Sequence, residues 1–147
     1  YDLSPTVRLV SSAWIRVANR YLRRDRIFAD GRLNQESSAF KIQVELFVSF
    51  KDSVIAAGYQ PIILLLPDRE SVAARATGGE ALYAPLATRL DSLGIPFLDA
   101  GDAFAVKGAQ AHDEQWFGPG GHYSPAGNAV VAEWLLPLLR AASDRAM

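Results

Sequence analysis

Of the two histidines in this chain, His112 and His122, only His122 stands where an imidazole could be held for proton transfer. It lies in the run Gly121-His122-Tyr123-Ser124-Pro125-Ala126-Gly127-Asn128, a glycine-rich loop that leads into an apolar helical stretch, Ala129 to Leu139. Ser124 can accept from the first orphan N–H groups of that helix, and Pro125 suits its first position. A histidine on a loop pinned by a rigid helix is well placed to act as a general base. A nucleophile to go with it is not evident. The chain has no cysteine, and Ser71, Ser124 and Ser143 lack the sharp strand-to-helix context that activates a serine. Trp116 and Phe117, in the same loop, can either line an acyl or sugar site or plug the loop onto the core. Trp116 and Tyr123 are therefore the candidate substrate contacts. His112-Asp113-Glu114 together with His122 follows no recognised metal-ligand spacing, and a solvated polar loop is the simpler account. No metal site is expected.

The elements that must position His122 follow from apolar periodicity. Val7, Val10, Trp14, Val17, Ala18 and Tyr21 recur at helical spacing, with Arg16, Arg20, Arg23 and Arg24 as a solvated face. Asp25 to Gln35 is expected to be a polar connector. A second helix is expected to turn Phe40, Val44, Phe47, Val48 and Ile55 inward and to stop at Gly58. The run 62–66 between Pro61 and Pro67 is too short for a helix and predicts a strand buried on both faces. A loop and short helix follow Pro67-Asp68. Leu82, Leu86, Leu90 and Leu93 stripe another helix ended by Gly94, and a strand is expected over 95–98. A short helical segment near 102–106, a long glycine-rich loop and a last helix over 125–142 complete the order. Strands apolar on both faces belong inside a parallel sheet covered by helices, and two such strands alone do not make a stable sheet. The strand Pro61–Pro67 is therefore expected to pair, on the edge away from its companion, with a strand from outside this sequence. That strand would come from a missing N-terminal half or from a symmetric copy of the chain.

The stretch His122-Tyr-Ser124-Pro-Ala-Gly127-Asn-Ala-Val-Val-Ala132 resembles the last block of the SGNH (GDSL-type) hydrolases, where a histidine precedes the C-terminal helix. Ile62-Ile-Leu-Leu-Leu-Pro67 is similar to that family's penultimate strand, and Gly94-Ile-Pro-Phe-Leu-Asp99 to its last. The resemblance implies an α/β fold, a three-layer α/β/α sandwich of flavodoxin-like type. Residues 1–147 would be the C-terminal portion of that single domain, with two of its parallel strands. It also implies serine-ester chemistry without a cofactor, in which His122 takes a proton from a serine outside this chain. The family's orienting Asp, two or three residues before the histidine, is replaced here by Gly120 and Pro119. Asp99, Asp102, Asp113 and Glu114 are the candidate substitutes. Gly101-Asp102-Ala103-Phe104 superficially resembles the family's serine block with Ala in place of Ser, but it follows the last strand and is read as a turn into a helix.

Half the residues are hydrophobic and the formal net charge is −1, which gives no basic footprint for nucleic acid. The expected partner is a small-molecule or polysaccharide acyl ester. O-acyl transfer to a polysaccharide would use the same base, and a non-catalytic interaction module would keep the fold without the chemistry. Nothing in the composition selects a compartment.

Overall fold

The computed structural model describes residues 26–108 and 114–146, with side chains to Ala141, and in addition Val10 and Trp14. Val10 and Trp14 are helical and exposed. The rest of the expected first helix, its arginines, and His112 and Asp113 lie outside the described residues, as does the side chain of Ser143.

Residues 26–35 of the expected connector carry regular structure. β1 (Phe28–Ala29) and β2 (Arg32–Leu33) form an antiparallel hairpin. Asp30 and Gly31 form its two-residue turn, with φ of +52° and +74°. Asp-Gly suits such a turn because both positions need positive φ, and its twist matches that of the flanking strands. Leu33 then donates its N–H to Leu82 O at 3.0 Å, which fixes the hairpin to the body.

α1 (Ser38–Ala56) starts where the buried Ser37 hydroxyl accepts from Phe40 N at 3.1 Å. It ends at Gly58 (φ +81°), where Gly58 N donates to Ile55 O and Tyr59 N to Val54 O. This paired closure satisfies carbonyls that the helix leaves free. α3 (Ala84–Ser92) ends in the same way at Gly94, with Gly94 N on Asp91 O and Ile95 N on Leu90 O. Both glycines are the stops that the sequence marks.

β3 (Ile63–Leu65) and β4 (Phe97–Asp99) pair in parallel, in the register Ile63 to Phe97, Leu64 to Leu98 and Leu65 to Asp99. The connection between them holds the two helices that the sequence leads one to expect, the short α2 (Arg69–Ala76) after Pro67-Asp68 and then the leucine-striped α3. Alternation along β3 sends its side chains to opposite sides. Ile63 and Leu65 join Phe40 and Val44 of α1 and Leu86 and Leu90 of α3 in one buried cluster. Leu64 packs against the other, built from Val72, Phe104 of α4 (Gly101–Val106), Phe117, and Val130 and Val131 of α5 (Pro125–Ala146). The chain is thus mixed α/β, a small parallel sheet with apolar clusters on both faces. Among the described residues, no helix is long and apolar enough to cross a membrane.

Candidate functional site

The chain leaves β3 through Pro67, Asp68 and Arg69 and leaves β4 through Asp99, so these residues mark the carboxyl end of the parallel pair. In open α/β sheets, ligands bind outside that end. Asp68 caps α2, its carboxylate accepting from Ser71 N at 2.7 Å. Ser71 is fully buried and its hydroxyl accepts from Leu82 N at 3.1 Å, so it is a structural group.

The loop that bears His122 folds back onto this end and bonds to itself. Gly118 N donates to His122 O at 2.8 Å, Gly121 N to Gly118 O at 3.2 Å, and Ser124 N to Trp116 O at 3.0 Å. Phe117 and Tyr123 face each other as an isolated antiparallel bridge. The turn at its tip places Pro119 before Gly120, whose φ of +76° and ψ of 8° suit the third position of a type II turn. Gly121 also needs positive φ, at +81°. These two glycines let His122 leave the turn in an extended conformation with its ring exposed. The imidazole passes close to Gly120, where a Cβ would sit 3.7 Å from Cδ2.

The motif residues after the histidine have structural causes. The Ser124 hydroxyl donates to Gln115 O and accepts from Gly127 N at 3.1 Å, capping α5 and holding the loop's other limb. Gly127 must lack a side chain, because a Cβ there would lie 2.2 Å from Trp116 O. Ser124 and Gly127 together bring the helix start against the backbone of the loop.

Two side chains bind the loop to the sheet. The Tyr123 hydroxyl donates to Pro67 O at 2.6 Å. Its ionisation is pushed upward by burial first, then by the charges of Asp68 and Asp99. Arg69 donates to Phe117 O and Gly118 O, each at 3.2 Å, with its guanidinium 5.7 Å from the Phe117 ring centre. Beneath the loop, the Phe104 ring lies 5.9 Å from Phe117, 5.6 Å from Tyr123 and 6.3 Å from Trp116. Of the candidate substrate contacts, then, Trp116 and Tyr123 are both half-buried in this aromatic cluster, and the Tyr123 hydroxyl is already engaged. A cleft of about 670 Å³ opens beside the loop, lined by Asp68, Arg69, Glu70, Glu114, Phe117 and the backbone of Gly118–Gly121.

The candidate orienting acids separate. Asp99 accepts from Arg75 at 2.8 Å, from the Tyr83 hydroxyl at 2.6 Å and from Gly101 N at 2.8 Å. Asp102 pairs with the same arginine at 2.6 Å. Partial burial works against the Arg75 charge, but Asp99 and Asp102 outweigh it and raise its pKa. Burial, then the hydrogen bond to Asp99, pushes Tyr83 upward. Both carboxylates thus belong to a network built around Arg75. Glu114 shares the cleft wall with Gly120 and Gly121. The described residues include no group of three or more His, Asp or Glu able to hold a metal ion.

Sequence reasoning missed Arg69 and the Arg75–Asp99–Tyr83 network. The one local signal was Asp68 ahead of Ser71, a helix-cap spacing that marks the start of α2 just beyond the strand. Searches against family models, curated proteins and solved structures find no match to this chain.

Proposed function

We propose that these residues form the histidine-bearing part of an SGNH-type serine hydrolase domain, a three-layer α/β/α sandwich that cleaves an ester-linked acyl group. In this reading a serine from outside the chain attacks the acyl carbonyl, and His122 accepts its proton as the Oγ–C bond forms. His122 then gives that proton to the departing alkoxide. Water, deprotonated by the same imidazole, releases the acyl group and restores the serine. The observation that carries the reading is an exposed imidazole on a self-bonded loop, held by Arg69 and Tyr123 at the carboxyl end of β3. The adjoining cleft, with Asp68, Arg69, Glu70 and Glu114 in its wall, suits a hydroxyl-rich alcohol such as a sugar better than a long acyl chain. Ser71 and Ser124 are both committed to backbone partners, which supports a nucleophile from elsewhere.

The test is hydrolysis of p-nitrophenyl acetate by the natural protein that carries this chain together with a serine-bearing block. His122→Ala should lower kcat by about 10²- to 10⁴-fold, the usual contribution of a general base, with little change in KM. Because the ring is exposed, the far-UV circular dichroism should not change. Undiminished turnover in that variant rules His122 out as the base.

A further inference from the structure

We infer that the outer edge of β3 is a docking site for one more parallel, apolar β-strand, supplied by polypeptide outside these 147 residues. The inference rests on the edge itself and holds whether or not the hydrolase reading does. On the inner side, Ile63 N reaches Pro96 O and Leu65 O accepts from Ala100 N, so Ile63 and Leu65 spend their backbone groups on the β4 side. Alternation turns the N–H and C=O groups of Ile62, Leu64 and Leu66 the other way. Among the described residues they meet no partner, and β3 pairs with β4 alone. A row of unpaired N–H and C=O groups along a sheet edge is a ready template for pairing with another strand.

The same edge opens into an apolar groove of about 410 Å³ lined by Leu46, Phe47 and Phe50 of α1 and by Ile62, Ile63 and Leu64. This groove is the unfinished end of the first buried cluster. Ile63 belongs to both, and Phe47 packs against the cluster while lining the groove. α1 overhangs it with a stripe at four-residue spacing, Ile42, Leu46 and Phe50, which are 60%, 64% and 44% exposed. A strand laid beside Leu64 would continue the ladder and fill the space under that stripe.

The occupant can be narrowed further. Residues 7–21 have apolar positions at helical spacing, and a helix cannot saturate a strand edge. A second copy joined by a twofold axis would pair antiparallel. Here both faces of a parallel pair carry apolar clusters, the covered setting that parallel strands require and that a further parallel strand would share. A parallel strand from outside the chain is the occupant that meets every condition.

Amide hydrogen exchange on the protein expressed from its natural reading frame tests this. The Leu64 and Leu66 amides should be protected at least about 100-fold over unstructured rates, as core strands are, and should stay so when the protein is diluted to a monomer. Phe50→Glu should lower the Tm of that protein by roughly 5 °C or more, because the groove is filled. Ile55→Glu, exposed on the same helix but outside the groove, should shift it by about 1 °C or less. If Phe50→Glu fails to fold, wild-type exchange still decides. Unprotected Leu64 and Leu66 amides overturn the inference. Protection that disappears on dilution identifies a second copy as the occupant and overturns it too.

Discussion

The two ends of β3's surroundings contrast sharply. At its carboxyl end, the loop from Trp116 to Ser124 has its backbone bonded across, its hydroxyls engaged, and Arg69 and Tyr123 holding it down. Along its outer edge, backbone groups lack partners among the described residues, and Leu46, Ile62 and Leu66 stand more than 40% exposed. The first region is held in its own geometry by these backbone and side-chain bonds. The second stands open among the described residues. Local bonding thus suffices to shape the histidine loop, whereas the described residues leave the outer edge of β3 without a neighbouring strand.

The sharpest way to break the first region is at Gly127. Its Cβ would meet Trp116 O at 2.2 Å and Trp116 C at 3.1 Å, and these are backbone atoms of a self-bonded loop, not the movable end of a side chain. Alanine improves helix propensity by at most about 1 kcal/mol. The overlap should outweigh that gain, for a net loss of about 2–3 kcal/mol. Denaturant unfolding of Gly127→Ala checks the sign. A stabilised variant would mean that the loop yields easily and is not rigid at all.

A second test sharpens the contrast through pH. Tyr83 and Tyr123 are each raised above the ordinary tyrosine value, mainly by burial, and both help fasten the carboxyl end. The unfolded chain therefore releases these protons first as pH rises. Stability should be intact below about pH 10 and fall above it, by at most about 1.4 kcal/mol per pH unit for each tyrosine. Tyr123→Phe should flatten that fall and cost about 1 kcal/mol at neutral pH through loss of the bond to Pro67 O. A slope identical to wild type would show that Tyr123 ionises freely and does not hold the loop.

Much of this contrast was legible in the sequence, and the limits have physical reasons. The run 62–66, the leucine stripe and the glycines at 58 and 94 announce strand, helix and stops because each signal is local. Ser124-Pro125 announces the cap of α5 for the same reason. The hairpin at 28–33 escaped because two-residue strands are too short to display alternation, although Asp30-Gly31 was there to be read. Arg69 escaped because its partners lie 48 and 49 residues away. Asp99 and Asp102 looked available as partners for His122, since nothing in the sequence shows Arg75 between them and Tyr83 above.

The smallest expected effect carries as much information as the largest. Ile42→Lys places a charge on the exposed stripe of α1, one turn from Leu46 and away from both buried clusters. In the 147-residue chain taken alone this position faces solvent, and lysine is at least as good a helix former as isoleucine. The change should therefore stay within about 0.5 kcal/mol of wild type. That near-silence is the signature of an open face, just as the intolerance at Gly127 is the signature of a closed one. Urea unfolding of the pair, under identical conditions, measures both. A loss at Ile42 of about 2 kcal/mol or more would be of core size and would mean that something within the chain already covers the stripe. The first 25 residues, with their apolar positions at helical spacing, would then be the segment to truncate next.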